Sequence, residues 1–256
     1  MERSPEEKQF ALLIDAENIS HKYIDAIIEE TTKYGICTYR RIYGDWTNPY
    51  LKNWKQITLD YALQAIQQYG YTANKNATDT AMIIDAMDML HTSQLNGFIL
   101  VSSDSDFTPL AMRLREGAKT VIGIGEEKTP MPFKSACNQF IHLENLSTEK
   151  ETSADDPATP TKQPKKPTTV DRKTMKLLKA TITDMSDDES GWVSLATLGH
   201  NILKKRPDFD PRTYGHNKLL HFFRSMKEFE VTDLKTDKGQ SNYYVRIKAQ
   251  NTGKKK

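Results

Sequence analysis

A stretch poor in apolar side chains divides this 256-residue chain in two. Residues 147–169 are rich in Pro, Ser, Thr and charge, and they contain almost no side chain that could build a core. Such a composition is typical of a disordered linker. We therefore expect two domains, residues 8–146 and 170–249, and a disordered basic tail over residues 250–256.

The two halves carry opposite net charges, which suggests two different tasks. From Lys162 to Lys256 there are 21 Lys and Arg against 11 Asp and Glu, a net charge of +10. The preceding residues hold 15 against 23, a net charge of −8. An acidic half can hold cations and a basic half can hold a polyanion. Charge alone fits two ordinary solvated surfaces about as well.

Several features favour a cytoplasmic location. The first ten residues, MERSPEEKQF, lack the basic start and apolar run of a signal peptide. The longest apolar stretches are strand-sized, so no membrane span is expected. Cys37 and Cys137 are too few for a disulfide framework or a Cys-rich zinc site, which indicates a reducing compartment.

The first half alternates apolar runs with helical patterns, which predicts an α/β fold with a parallel sheet covered on both faces. Residues 10–14 (FALLI) and 97–102 (GFILVS) are continuous apolar runs, as in buried parallel strands. Further strands are predicted over residues 36–43, 70–72, 119–123 and 140–143. Helices are predicted over residues 20–33, 54–69, 78–91 and 107–116.

The second half shows three helical patterns followed by a hairpin, which is typical of a winged helix. The helices are predicted over residues 171–185, 195–205 and 214–227. The strands are predicted over residues 229–234 and 242–247, and residues 192–193 are expected to pair briefly with them.

Four aspartates are expected to meet at one edge of the parallel sheet, because ligands collect at the carboxyl ends of its strands. Asp15 follows the first strand, and Asp104 and Asp106 follow the GFILVSS strand. Asp79 begins a helix and shares its apolar stripe, which turns it toward the sheet. An acid in such a place is unfavourable unless it is paired or bound to a cation.

This acidic group predicts a divalent metal site. Clustered carboxylates repel one another and stay ionised only where positive charge is supplied. Mg²⁺ and Mn²⁺ prefer oxygen ligands and bind phosphates at the same time, so one or two such ions could activate water against a phosphodiester. Asn18 could orient a ligand or a water, and Lys75 and Lys134 could contact a phosphate. Asp85 and Asp88 fall off the apolar stripe and are expected to be solvated.

Each aspartate also has a purely structural interpretation. Asp106 could be an N-cap, Asp15 could form an Asx-type turn, and Asp79 could complement a helix dipole. Four of them at one sheet edge favour the metal site. Other chemistries fit less well, because the sequence has no phosphate-loop motif and only a fragment of a dinucleotide loop at residues 123–125.

The motifs FALLIDAENIS, KNATDTAMIIDAMDML and ILVSSDSDFTPLAMRLREGAKTVIGIG resemble the NYN domain family, a branch of the PIN-like nucleases. The resemblance covers residues 10–146 and implies a metal-dependent ribonuclease with a three-layer α/β/α sandwich. It implies that Asn18 and Asp85 support the site, and it departs from the family pattern at Ser103, where Gly is usual. The implied metal-binding and catalytic residues are Asp15, Asp79, Asp104 and Asp106.

Residues 175–247, which include GWVSLATLGHNILKKRPDFDPRTYGHNKLLHFFRSM and YYVRI, resemble an OST-HTH/LOTUS domain. This resemblance implies binding of RNA or of a protein partner. Basic groups near helix ends neutralise phosphates, and aromatic rings stack on unpaired bases. The basic run could equally be a solvated helix end. The residues predicted to contact RNA are Lys204, Lys205, Arg206, Arg212, Tyr214 and Lys218.

Taken together, these patterns predict an endoribonuclease that uses Mg²⁺ or Mn²⁺ to hydrolyse phosphodiester bonds of single-stranded or structured RNA, with a C-terminal RNA-binding module. The alternative is a non-catalytic module of the same fold that binds RNA or a protein. A third hypothesis is a phosphoesterase acting on DNA or on a small phosphate ester.

Overall fold

The computed structural model describes residues 7–69, 77–146, 168–186, 190–235 and 241–248. The chain separates into two compact units, Met1–Ala158 and Thr159–Lys256. Most of the predicted linker, the predicted tail, the predicted strand at residues 70–72 and Lys75 lie outside the described residues. Among the described residues, no helix combines the length and apolar character needed to cross a membrane.

The first unit contains a six-stranded sheet in the order β3-β2-β1-β4-β5-β6, with every neighbouring pair parallel. Its strands are β1 (Gln9–Asp15), β2 (Ile36–Gly44), β3 (Gln64–Gln67), β4 (Gly97–Val101), β5 (Thr120–Gly125) and β6 (Gln139–His142). Its helices are α1 (Ile24–Thr31), α2 (Trp54–Asp60), α3 (Ala77–Thr92), α4 (Thr108–Glu116), α5 (Met131–Ala136) and α6 (Leu143–Leu146).

Two hydrophobic cores lie on opposite faces of this sheet, which confirms the three-layer α/β/α fold. Along β1, Leu12 and Ile14 enter the core shared with α1, α2 and α6. Leu13, which points to the other face, enters the core shared with α3, α4 and α5. Because both faces of β1 are buried, its sequence reads as a continuous apolar run rather than an alternating one.

The order of the strands creates a crevice at one edge of the sheet. From β1, the chain first adds β2 and β3 on one side and then adds β4, β5 and β6 on the other. The loops after β1 and β4 therefore leave in opposite directions at the carboxyl edge, which is where parallel α/β sheets bind ligands. Asp15 ends β1 at this point, and residues 102–106 follow β4.

The helix predicted over residues 54–69 is wrong in its second half. Helix α2 ends at Asp60, Ala62 takes a positive φ of 49°, and β3 then pairs with β2. The sequence of β3, QAIQ, lacks an apolar run because β3 is an edge strand, so its pattern looks like a continuation of the helix.

In its described residues, the second unit combines three α-helices with a three-stranded antiparallel sheet of order β7-β9-β8. Gly215 has a φ of 81°, so α9 begins later than the predicted helix over residues 214–227. A single core holds Leu178, Leu198 and Phe222. The elements are α7 (Arg172–Met185), β7 (Val193–Ser194), α8 (Leu195–Lys205), α9 (Leu219–Ser225), β8 (Phe229–Lys235) and β9 (Ser241–Ile247).

Candidate metal centre

Three of the four predicted aspartates converge at the carboxyl edge of the sheet. Asp79, Asp104 and Asp106 each offer a carboxylate oxygen, and these oxygens lie within 4.8 Å of one another. Asp79 occupies the first turn of α3 and is buried, Asp104 is half-buried, and Asp106 is exposed. The cluster therefore runs from the protein interior to solvent, and a ligand can enter from the Asp106 side.

The loop after β4 presents two of these acids through its own local hydrogen bonding. Asp104 is the N-cap of a short 3-10 helix, Ser105–Phe107, and its Oδ1 accepts a hydrogen bond of 2.9 Å from the Asp106 backbone N–H. The N-cap of this helix is thus Asp104, whereas Asp106 lies in its first turn. Ser103 does not have a positive φ, so the loop does not require the Gly that the family usually has at this position.

Asp15 lies beside this cluster, but its carboxylate is already occupied by donors of the protein. Its Oδ1 accepts from the backbone N–H groups of Glu17 and Asn18, in the manner of an Asx turn. Its Oδ2 accepts from Asn18 Nδ2 at 2.7 Å and from Ser102 Oγ at 2.8 Å. Asn18 therefore orients Asp15, and Asp15 organises the turn after β1.

The two buried acids differ in what surrounds them. Burial raises the pKa of Asp15, while the hydrogen bonds from Asn18 and Ser102 act in the opposite direction. Burial, together with the nearby charges of Asp15, Asp104 and Asp106, raises the pKa of Asp79 to about 7. Within the described part of the chain, Asp79 sits among like charges without the side-chain donors that Asn18 and Ser102 provide to Asp15, so a cation beside it would relieve both effects.

Two residues that the sequence analysis missed connect the parts of this edge. Ser102 is fully buried just past β4, and its Oγ accepts a hydrogen bond of 3.1 Å from the Asp104 backbone N–H while it donates to Asp15. Glu17 Oε1 accepts from Thr78 Oγ1 at 3.1 Å, next to Asp79. Ser102 follows directly on an apolar strand, and a polar residue in such a place is expected to be hydrogen-bonded, so its role could have been predicted from the sequence.

Asp85, the second acid of α3 implied by the family resemblance, lies apart from the cluster. Its carboxylate forms an ion pair with Arg41 and accepts a hydrogen bond from the Tyr43 hydroxyl. Burial and the Asp85 charge raise the pKa of Tyr43. The prediction of a solvated Asp85 is therefore wrong, because the residue ties α3 to β2. Its supporting role at the site stays a prediction.

Lys134, a predicted phosphate contact, is buried in α5, and its Nζ donates to the Glu127 carbonyl oxygen at 2.7 Å. It also lies over the ring of Phe140. These contacts give Lys134 a structural role in the loop after β5. Lys75, the other predicted contact, lies outside the described residues.

In the second unit, most of the predicted RNA-contacting residues have partners within the protein. Lys205 pairs with Asp184, Arg206 pairs with Asp208, and Arg212 pairs with Asp210. The Tyr214 ring packs near Phe209 and Phe222, so it belongs to the core. Lys204 and Lys218 are exposed, which leaves their ammonium groups accessible to a polyanion.

The residues at the carboxyl edge suit a hard divalent cation. The three clustered groups offer only carboxylate oxygens, the ligands that Mg²⁺ and Mn²⁺ prefer. Their mutual repulsion, seen in the raised pKa of Asp79, is the electrostatic state that such a cation neutralises. Asp79, Asp104 and Asp106 are the residues that would hold it.

A parallel α/β/α sandwich with an acidic centre at its switch point defines a nuclease-type fold. The chain belongs to the NYN domain family, whose model matches residues 9–144. An OST-HTH/LOTUS domain follows, matched over residues 165–239. Both family assignments from the sequence motifs are thereby confirmed. The OST-HTH/LOTUS match suggests that the second domain binds RNA.

Some individual proteins that resemble this chain are described as uncharacterized or of unknown function. An uncharacterized protein of Methanocaldococcus jannaschii is 28% identical over 127 residues, which is 47% of this chain and 49% of that protein. The chain thus spans about half the length of this curated relative.

Two solved structures are similar to the chain in part. A protein of unknown function from Vibrio parahaemolyticus is 16% identical, with a TM-score of 0.46 over 54% of this chain and 94% of the other. An uncharacterized protein of Nitrosomonas europaea is 28% identical, with a TM-score of 0.28 over 38% of this chain and 94% of the other. Both TM-scores are below 0.5, so the fold is defined by the sheet and the two cores of this chain rather than by these likenesses.

Proposed function

We propose that this protein is a metal-dependent endoribonuclease whose C-terminal domain binds the RNA substrate. The observation that carries the proposal is the convergence of Asp79, Asp104 and Asp106 at the carboxyl edge of an NYN fold. The adjoining OST-HTH/LOTUS domain supports RNA as the polymer.

The residues of the chain divide the work in this proposal. Asp79, Asp104 and Asp106 would hold Mg²⁺ or Mn²⁺, and the bound ion would supply an activated water and stabilise negative charge on the phosphodiester. Ser102 fixes the Asp104 loop against Asp15 through its two hydrogen bonds. Lys204 and Lys218 contribute phosphate contacts from the second unit, which position RNA without reading its sequence.

The proposal is tested by incubating the full chain with single-stranded RNA, structured RNA and single-stranded DNA, with Mg²⁺, Mn²⁺ or EDTA. We expect cleavage of RNA that requires the metal, and cleavage of a circular RNA to show endonucleolytic attack. Asp104→Asn should lower the rate at least about 100-fold, because it removes a negative charge that would hold the metal ion. Asparagine keeps the oxygen that caps the following helix, so this variant tests charge rather than folding.

The matched control is Asp88→Asn, which makes the same chemical change at an exposed position of the same helix as Asp79. Its rate should equal that of the wild type. Absence of metal-dependent cleavage above the Asp104→Asn level would contradict the proposal. RNA binding that falls steeply with salt, with no cleavage, would instead identify a non-catalytic binding module. Preferential cleavage of DNA would identify a different phosphoesterase.

A further inference from the structure

Two tyrosine rings lie exposed at the same sheet edge as the acidic cluster. Tyr50 is 89% exposed, in the loop that follows β2, and Tyr69 is 59% exposed, two residues beyond the end of β3. Isolated exposed apolar side chains are ordinary on protein surfaces. This pair is distinctive because its loops leave the same carboxyl edge of the sheet as the loops that carry the aspartates, with β2 next to β1 and β3 next to β2.

The loop after β2 is bonded to the acidic edge. Glu17 Oε1, in the turn after β1, accepts a hydrogen bond of 3.1 Å from the Asp45 backbone N–H. The same oxygen accepts from Thr78 Oγ1, and Thr78 precedes Asp79 in α3. One carboxylate therefore joins the start of the Tyr50 loop to the helix end that presents Asp79.

This loop is also held in one conformation by contacts that do not involve the Tyr50 ring. The exposed ring is therefore free to bind a partner rather than needed to fix the loop. The Trp46 indole Nε1 donates to the Ile66 carbonyl oxygen at 3.1 Å, and the Tyr50 backbone N–H donates to Asn48 Oδ1 at 3.0 Å. Leu51 is buried against Gly44, where an added Cβ would lie only 2.8 Å from Leu51 Cδ1. A ring presented on a fixed loop loses little entropy when it binds a partner.

The distances suit a nucleic-acid strand that crosses this edge. Neighbouring strands of a sheet lie about 4.8 Å apart, so β2 is roughly 10 Å and β3 roughly 14 Å from β4 along the edge. The loops that carry Tyr50 and Tyr69 leave the sheet from the ends of these two strands, so a single strand of RNA that crosses the edge from the acidic cluster would pass them. Lys52 and Lys55 are exposed just after Tyr50, and cations beside aromatic rings are the combination that binds single strands.

We propose that Tyr50 and Tyr69 form a base-stacking subsite for single-stranded RNA beside the acidic cluster. The inference rests on the proposed function, and it adds to it that unpaired nucleotides next to the cleaved bond are recognised by the NYN unit itself. Stacking accepts every base, so this subsite selects for unpaired RNA over duplex rather than for a sequence.

The test measures cleavage of a short single-stranded RNA by the full chain. Tyr50→Ala should lower kcat/KM about tenfold, whereas Tyr50→Phe, which keeps the ring, should stay within about twofold of the wild type. The matched control is Leu59→Ala, which truncates a 70% exposed apolar side chain on α2 and should have no effect. Tyr69→Ala should act in the same direction as Tyr50→Ala.

An abasic nucleotide, placed in turn at each position around the cleaved bond, distinguishes stacking from a general loss of fit. One abasic position should lower the wild-type rate as much as Tyr50→Ala does, and it should lower the variant's rate no further. Losses that multiply at every position, or a Tyr50→Ala enzyme as active as the wild type, would overturn the inference.

The subsite and the proposed catalysis can fail separately. If the wild type cleaves no RNA, the proposed function fails, and the subsite is then tested by fluorescence of an RNA that carries 2-aminopurine. Quenching on binding that is lost in Tyr50→Ala and kept in Tyr50→Phe would support stacking. Quenching that is unchanged in Tyr50→Ala would refute it.

Discussion

The two sides of the acidic edge place a buried aspartate in opposite electrostatic surroundings. On the β1 side, Asp15 receives hydrogen bonds from the Asn18 side chain, Ser102 and two backbone N–H groups. On the α3 side, burial raises the pKa of Asp79, and the charges of Asp15, Asp104 and Asp106 add to that effect. The protein thus supplies hydrogen-bond donors to one aspartate and surrounds the other with like charges. In the proposed function, Asp15 is the frame of the site and Asp79 is its metal-facing group.

The largest expected effect is on the β1 side. Asp15→Ala should lower the free energy of unfolding of the first unit by about 3 kcal/mol, because it leaves the buried donor Ser102 and the Asn18 amide without their acceptor. Urea unfolding followed by tryptophan fluorescence in a Trp192→Phe background reports on the first unit alone, since the other two tryptophans are Trp46 and Trp54.

The control for this prediction is Asp88→Ala, at an exposed site of α3, which should change the free energy of unfolding by less than about 0.5 kcal/mol. An Asp15→Ala protein as stable as this control would mean that Asp15 does not hold the edge together.

On the α3 side, removal of the charge of Asp79 is expected to raise the free energy of unfolding rather than lower it. The folded pKa of Asp79, about 7, lies above its ordinary value of 3.8, so protonation of this carboxyl stabilises the fold. That contribution is complete below about pH 4 and is lost as the pH rises through 7. Without divalent ions at pH 8, Asp79→Asn should therefore stabilise the first unit by about 2 kcal/mol, as at other sites that trade stability for function.

The same unfolding experiment repeated at pH 5 sharpens this prediction. There the wild-type carboxyl is already largely protonated, so the gain from Asp79→Asn should shrink. A destabilising Asp79→Asn at pH 8 would show that the side chain is satisfied by the protein, as Asp15 is.

A smaller effect is expected from Asn18→Ala, which removes the amide that donates to Asp15 at 2.7 Å. The other donors to Asp15 remain, so the loss should be about 1 kcal/mol. Thermal unfolding of the same Trp192→Phe background measures it. A loss as large as that of Asp15→Ala would mean that Asn18 stabilises the fold by another route.

Features encoded in local patterns were predictable from the sequence. The buried strands β1 and β4 are continuous apolar runs, and the aspartates that follow or face them are fixed by strand ends and helical spacing. The convergence of Asp79, Asp104 and Asp106 follows from that spacing together with the parallel sheet. Their role as metal ligands and in catalysis stays a prediction.

Features that depend on distant partners were not predictable. The helical stripe of α3 shows that Asp85 points off its apolar face. It cannot show that Asp85 contacts Arg41 and Tyr43 of β2. The sequence also could not show that Arg206 and Arg212 form ion pairs with acids two residues away; their contact with RNA stays a prediction. Charge in a sequence reports net character, whereas accessibility depends on the fold.

The central claim is that Asp79, Asp104 and Asp106 together hold a divalent cation. Calorimetric titration of the full chain with Mn²⁺ at pH 8, without RNA, tests it most directly. The wild type and Asp88→Asn should bind with equal affinity, and Asp79→Asn and Asp104→Asn should each weaken binding at least about tenfold. Absence of Mn²⁺ binding by the wild type, or equal binding by Asp104→Asn, would contradict the account.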